Sequence, residues 1–369
     1  LMHHYSQGKD IRQAHKGIPD GCYEEEQGRK GFFGQVSHII KKNPSTRWRK
    51  IEGPLKPRLF DCVELEKKET LQRLLYNNDL GLYNLWLRPE SKHWQKAQRN
   101  ADGDVIYFCH IGRGEVWTEY GQLAFAAGTY VVIPKCVTHT FVPQEVSNFF
   151  VIESRTGAFT EPARGMVGRN AIYDLNTLGK PDLAAQQAAM SKISAQVKLV
   201  EVKHEETTTR FEYDECIYHD ILGWKGDFFP FTLKMEHIMP LMSHRVHLPP
   251  SAHTTFVANG FVVCSFLPRP LESDEDALRV PFYHQNIDYD EVLFYHDGNF
   301  FSRDGLHAGM ISLHPAGFPH GPHPKAVKTI AGKTQATEYA VMVDSWHKLQ
   351  RDPIMDAIEK KEYWKSWQT

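Results

Sequence analysis

The sequence predicts a mainly β protein built as two barrels in tandem, and three observations carry that reading. Short apolar runs such as LYNLWL, DVIYFCHI, GEVWTEY and TYVVIP recur between Arg58 and Glu153, separated by Gly, Asn and Asp. Strands of this length at such intervals suit an antiparallel barrel or sandwich. The chain also repeats itself: NADGDVIYFCHIG, Asn100 to Gly112, parallels NIDYDEVLFYHDG, Asn286 to Gly298, at an offset of 186 (298 less 112). GTYVVIPKCVTH, Gly128 to His139, parallels GMISLHPAGFPH, Gly309 to His320, at an offset of 181 (320 less 139), so one structural unit occurs twice. Third, the runs VLFYHDGNFF and MISLHP combine strand-forming side chains with D-G turn signals.

At 369 residues the chain is long enough for two ordinary domains. Its 43 basic and 45 acidic side chains nearly balance, so no nucleic-acid or polyanion partner is expected. Six cysteines lie singly, with no C-x-x-C pair, which reads as reduced thiols in a cytoplasmic enzyme. No apolar run approaches the roughly 18 residues of a membrane helix and no secretory leader is read, so no membrane partner is expected.

In chain order, the first 44 residues are rich in Gly, His, Lys and Glu without periodicity. GCYEEEQGRKGFFGQVSHII reads as a loop leading into a strand, an arm packed on another subunit. The first barrel follows, and PDLAAQQAAMSKISAQVKLV reads as a helix of roughly 14 residues and then a strand. The division falls near residue 200, giving 1–200 as the arm and first barrel and 201–369 as the second. EYAVMVDSW closes the second barrel. The tail DPIMDAIEKKEYWKSW reads as an amphipathic helix with Asp352 as N-cap and Pro353 at its first position, turning Ile354, Ala357, Ile358 and Tyr363 toward protein.

Candidate chemistry concentrates between residues 281 and 324. His284, Asn286, Glu291 and Gly298 form H-x-N-x4-E-x6-G, and Gly309, Pro315, Gly317 and His320 form G-x5-P-x-G-x2-H. These match the two halves of the cupin signature, with Asn286 where many cupins have a second histidine. The fold class is therefore a bicupin: two double-stranded β-helix (jelly-roll) barrels with an N-terminal arm and a C-terminal helix. Strand side chains alternate faces, so two hairpins can aim polar residues at one point; His284 and Glu291 read as one hairpin and His320 as the next. Two imidazoles and one carboxylate make the facial triad of non-haem Fe(II) oxygenases. An isolated H…E…H set is usually chance; both glycines in register make the metal site the stronger reading. In the first repeat Gln98, Val105 and Cys136 replace His284, Glu291 and Gly317 and only His139 survives, so that copy reads as a metal-free scaffold. His139 and His110 read there as satisfied core or surface histidines.

Beyond these motifs the chain resembles the homogentisate 1,2-dioxygenase family, in its shorter bacterial branch. The resemblance runs almost end to end through YEEEQGRKGFFG, NADGDVIYFCHIGRG, GWKGDFFP and the block FYHQN, DEV, SLHPAGFPHGP. It implies an Fe(II) enzyme that opens the ring of homogentisate with O2 to give maleylacetoacetate, in tyrosine and phenylalanine breakdown. It also implies a small aromatic acid substrate and a homo-oligomer, trimer or hexamer. Residue by residue, it implies His284, Glu291 and His320 as iron ligands, with His320 also on the substrate side, and His247 in RVHLPPS as general base. Position alone does not choose among His244, His247 and His253. His314 is implied as a pocket histidine that orients a ligand or bound oxygen, and Asn286 as a hydrogen-bonding group at the rim of the iron. Where the family carries a tyrosine for the substrate carboxylate, this chain has Phe300, which cannot donate a hydrogen bond. Tyr283, Tyr289, Tyr295, Arg245 and Arg303 are the candidates to replace it. The departure keeps open a related ring-cleaving dioxygenase acting on gentisate or another 2,5-dihydroxyphenyl acid. A non-enzymatic metal-binding bicupin is the more distant alternative.

Overall fold

A computed structural model describes residues 5–92, 95–279, 282–303, 305–330 and 332–368. Strands β1 (Tyr23–Gly28) and β2 (Val36–Lys41) open the chain as a hairpin, followed by β3 (Arg58–Asp61), β4 (Gln72–Tyr76), β5 (Leu80–Leu87) and β6 (Lys96–Asn100). Next come β7 (Asp104–Ile111), β8 (Arg113–Thr118), β9 (Leu123–Ala126), β10 (Thr129–Ile133), β11 (His139–Pro143) and β12 (Ser147–Ser154). Helix α1 (Leu183–Ile193) separates these from β13 (Leu199–His204), β14 (Thr207–Glu212), β15 (Phe231–Lys234), β16 (Thr254–Ala258), β17 (Phe261–Phe266) and β18 (Arg269–Pro270). The chain ends with β19 (Tyr283–Asn286), β20 (Asp290–Asp297), β21 (Met310–His314), α2 (Pro324–Ile330), β22 (Gln335–Ala336), β23 (Tyr339–Ser345), β24 (Gln350–Arg351) and α3 (Ile354–Ala357).

The architecture is the expected mainly β bicupin. Sheets ordered β15-β10-β7-β12-β5-β4-β24 and β14-β13-β6-β11-β8-β9 wall the first barrel. In the second, β16-β17-β23-β20-β21-β3 forms one wall, and β19-β1-β2 with the short pair β18-β22 completes the other. The middle of the run DVIYFCHI, Val105 to Cys109, is apolar throughout because both its faces are covered. Val105, Tyr107 and Cys109 point into the first barrel, while Ile106 and Phe108 join a core shared with the second. Phe150 and Phe294 stack across that shared core with centroids 4.8 Å apart.

The repeats exchange strands. Hairpin β13–β14 pairs in parallel with β6 of the first barrel, setting Glu201 beside Gln98. Hairpin β1–β2 pairs in parallel with β19 of the second, setting Glu26 beside His284. In the same way β15 pairs with β10 and β3 with β21. Each repeat thus lends its first three strands to the other's barrel, and backbone pairing carries the first barrel past residue 200 to Lys234. The sequence has one copy following the other, and no local signal marks a strand that crosses over.

Three local expectations change. The N-terminal arm is a hairpin docked on its own chain, since β1 is paired on both edges by β2 and β19; YEEEQG lacks the apolar alternation that would have marked it. Helix α1 has 11 residues rather than 14, capped by Asp182 accepting from Ala185 N and stopped at Ser194 in the left-handed region. The tail is not one helix: α3 ends at Ala357, and Ile358 O and Lys360 N bond instead to Asp61 N and Leu59 O beside β3. A short helical turn, Tyr363–Trp367, follows. Met355, Ile358, Tyr363 and Trp367 are buried by it, whereas Ala357 faces solvent. Gly298 keeps its place for a steric reason: its φ is +93° and a Cβ there would lie 2.0 Å from Thr337 O. Among the described residues no helix is long and apolar enough to cross a membrane.

Candidate metal centre and cavity

His284 leaves β19, Glu291 lies in β20, and His320 follows β21. His284 and Glu291 are not partners in one hairpin, because β19 and β20 belong to different sheets. Between them the chain turns, with Asn286 Oδ1 accepting from Tyr289 N at 3.3 Å. His284 instead meets His320 in an isolated bridge, both N–O distances being 2.9 Å. The result is that one atom from each of His284, Glu291 and His320 lies within 4.8 Å of the others. His320 Nε2 is 3.3 Å and His284 Nε2 3.9 Å from Glu291 Oε2.

The protonation pattern suits ligation. His284 Nδ1 lies 3.0 Å from Phe282 O and His320 Nδ1 3.1 Å from Phe318 O. Each Nδ1–H donates to a carbonyl, which turns the Nε2 lone pair toward Glu291. His284 Nε2 is buried and has no hydrogen-bond partner. Burial raises the Glu291 pKa, but the neighbouring His320 and the hydrogen bond from His314 outweigh it and hold the group well below the usual carboxylate range. Burial, with repulsion from His284, lowers the pKa of His320. Asp344, opposite Glu291 on β23, goes the other way: burial and the Glu291 charge push its pKa well up. Two imidazoles and one carboxylate fit a divalent first-row transition ion.

His314 is fully buried, with Nδ1 2.9 Å from Glu291 Oε1. It stacks on His320 at 4.6 Å between centroids, so it holds the carboxylate and one imidazole in place. The centre opens on a cavity of about 100 Å³ lined by His247, Arg269, Phe282, Tyr295, Arg303 and Met342, among others. Burial lowers the pKa of His247, opposed in part by Glu272, whose Oε1 is 3.1 Å from His247 Nδ1. Arg303 Nη1 donates to Tyr295 Oη at 2.8 Å, while its Nε is buried without a partner.

Of the residues singled out in the sequence, the cavity and centre therefore gather His284, Glu291, His320, His314, His247, Tyr295 and Arg303. Phe300 does not line the cavity: it packs on Tyr295 at 5.0 Å, in a core cluster with Met310, Tyr363 and Trp367. The side-chain oxygen of Asn286 holds the turn into β20 rather than the rim of the centre. Tyr283 packs on Tyr23, Tyr289 on Trp346, and Arg245 pairs with Asp274. Arg269, Glu272 and Asp344 are additions from the structure. Their one sequence signal is a charge inside or beside a strand, as in SFLPRPLE and VMVDSW.

The first barrel keeps the frame without the ligands. Gln98 pairs with His139 as His284 pairs with His320, and His139 Nδ1 lies 3.1 Å from Val137 O. Its Nε2, however, lies 3.1 Å from Tyr107 Oη, and burial lowers its pKa to about 4. Phe125, Phe141 and Phe149 fill the interior around it.

Two imidazoles and a carboxylate converging in one of two barrels define a bicupin with a candidate metal centre. The chain matches the homogentisate 1,2-dioxygenase N-terminal family over residues 35–235 and the C-terminal family over residues 230–369. It belongs to the homogentisate 1,2-dioxygenase family. It is 30% identical over 368 residues to the "Putative dioxygenase" of Saccharolobus solfataricus, covering 94% of this chain and 93% of that one. To the homogentisate 1,2-dioxygenase of Rhizobium rhizogenes it is 26% identical over 242 residues, covering 60% of this chain and 50% of that one. The chain thus spans about half the length of the curated homogentisate 1,2-dioxygenases it matches. Among solved structures it is distantly similar to a cupin 2 conserved barrel domain protein from Leptotrichia buccalis. There the TM-score is 0.35 and the identity 11%, covering 81% of this chain and 99% of that one.

Proposed function

We propose that this chain is a non-haem Fe(II) dioxygenase that cleaves the ring of homogentisate with O2, with His284, Glu291 and His320 as the iron ligands. The observation that carries the reading is the convergence of the three ligand atoms beside a cavity that holds a neutral imidazole and two guanidinium groups. Bound Fe(II) supplies the redox chemistry and the open positions for phenolate and oxygen.

The protein's own groups prepare the substrate. His247 is neutral because burial disfavours its charged form, and a neutral imidazole can take the proton of a ring hydroxyl. Glu272 then stabilises the imidazolium so formed through its contact with Nδ1. Arg303, with an unused buried donor at Nε, and Arg269 on the opposite strand pair β18–β22 are the groups for the substrate carboxylate. Phe282 and Met342 supply apolar wall for the ring and keep bulk water from it.

The test is oxygen uptake by the Fe(II)-loaded protein with homogentisate, and with gentisate as comparison. Stoichiometric uptake with a ring-opened product from homogentisate is expected, and His320→Ala should lose both iron and uptake. Uptake with gentisate alone would move the assignment to the shorter acid, and uptake with neither would end it.

A further inference from the structure

Next to the cavity, with the His15 ring 6.2 Å from that of His247, a second group of ligand-type side chains converges. His15, Glu24 and His38 each offer an atom within 4.8 Å of the others, and Glu26 Oε2 stands 3.2 Å from His15 Nε2. The N-terminal hairpin builds the group. Glu24 and Glu26 are two residues apart on β1 and so share a face, and His38 lies opposite Glu26 on β2. His15 closes the group from the preceding segment, with Nδ1 2.5 Å from Glu24 Oε1.

Charge is the first argument. Glu24 and Glu26 are only 2% and 5% exposed, and among the described residues their ion-pair partners are histidines. Glu25, on the other face of the strand, takes Lys41. Two carboxylates removed from water this far call for two positive charges. One divalent ion supplies both and leaves both imidazoles neutral.

Geometry is the second. His15 Nδ1 and Glu26 Oε2 lie near oppositely charged atoms yet make no hydrogen bond, a property shared with His284 Nε2 at the candidate iron centre. A shared proton needs a near-linear N–H···O, whereas a metal ion needs donors arranged around a point.

The other barrel supplies the third. Glu201 lies beside Gln98 as Glu26 lies beside His284, but it faces Arg210 across the hairpin where Glu26 faces His38. It is held by Lys96 at 2.7 Å and Arg210 at 3.1 Å. The fold is thus satisfied by ordinary ion pairs at these positions, and the His and Glu set occurs only in the hairpin beside the metal-binding barrel.

We infer that His15, Glu24 and His38 bind a second divalent transition-metal ion of the zinc class. Two nitrogen donors and one carboxylate oxygen make three of the four positions of the tetrahedral shell that zinc prefers. Its mechanical effect follows from the pairing: β1 is hydrogen-bonded to β19, so an ion here ties the N-terminal segment to the strand that carries His284. The inference stands apart from the proposed ring cleavage and does not need it. The competing state has no ion: the two glutamates outweigh the effect of burial and hold His15 protonated, its pKa raised to about 9. A protonated imidazole cannot ligate, so the two states exclude each other.

Metal stoichiometry separates them. Protein stripped with a chelator and dialysed against Zn2+ should bind two ions per chain by elemental analysis. His38→Ala and Glu24→Gln should each bind one, as should His320→Ala, and the double variant His38→Ala/His320→Ala none. Wild-type protein that saturates at one ion per chain, with His38→Ala unchanged, overturns the inference. Where a variant fails to fold, anomalous diffraction at the zinc edge from the wild-type protein decides. A peak among His15, Glu24 and His38 supports the site, and a peak at His284, Glu291 and His320 alone removes it.

Discussion

Nδ1 of His110 lies 2.8 Å from Nδ1 of His296, and the 186 residues between them equal the offset of the internal repeat. The same position in each repeat therefore meets its counterpart, where the two barrels join. One ring donates and the other accepts, so the accepting ring must be neutral and the two cannot both be charged. Burial, with repulsion from His296, lowers the His110 pKa to about 3, and burial lowers that of His296 to about 4. Between pH 6.5 and 4 the unfolded chain then binds protons that the fold refuses. Stability is complete above 6.5 and falls as pH drops through that window, by roughly 3 kcal/mol for each ring at pH 4 as an upper figure. Urea midpoints between pH 4 and 7 should slope less steeply for His296→Gln than for the wild type; equal slopes would refute the assignment.

His314 bridges Glu291 and Tyr363, with Nε2 3.5 Å from Tyr363 Oη. Burial and the nearby Arg303 keep it neutral. Removing such a support typically costs 10- to 100-fold in metal affinity. His314→Leu should weaken iron binding by about that factor while activity returns at saturating iron. Loss of activity that iron cannot restore would show that His314 touches the reacting groups instead.

His247 has a depressed pKa, so its neutral form persists to lower pH than that of a free imidazole. The acid limb of kcat/KM should therefore lie below pH 6.5, and His247→Gln should lose about 10²- to 10⁴-fold in kcat, the usual share of a general base. An acid limb unchanged in the variant would assign the proton transfer elsewhere.

The motif residues and the twofold repeat were readable because barrel geometry ties function to spacing: His284, Glu291, Gly298 and His320 keep distances that only one fold needs. What could not be read depends on contacts between distant segments. The strand exchange leaves no mark in YEEEQG or TTTRFE. The break after Ala357 arises because Ile358 and Lys360 pair with β3, a competitor some 300 residues away in the chain. Arg269 reaches the cavity through a two-residue pairing, β18 with β22, too short for any periodic signal.

Arg303 separates charge recognition from chemistry. A charge-assisted hydrogen bond contributes about 1.5–3 kcal/mol, so Arg303→Lys, which keeps the charge but loses the fork, should raise KM for homogentisate by roughly 10- to 100-fold. A neutral methylhydroquinone has no carboxylate, and its kcat/KM should hardly change. Equal losses for both would mean that Arg303 serves to hold Tyr295, its neighbour at 2.8 Å.

Phe300→Tyr tests whether the family's tyrosine can simply be restored. In the family resemblance this position carries a carboxylate-binding hydroxyl, yet here the ring is 8% exposed, clustered with Tyr295, Met310 and Trp367, and not among the residues that line the cavity. A hydroxyl added to this packed ring is taken out of water, and where it finds no partner its burial costs about 1–3 kcal/mol. The variant should therefore melt at a lower temperature than the wild type and leave KM for homogentisate where it was. A variant of unchanged stability with a lower KM would place the residue-300 side chain beside the substrate and return carboxylate binding to that position, displacing Arg303.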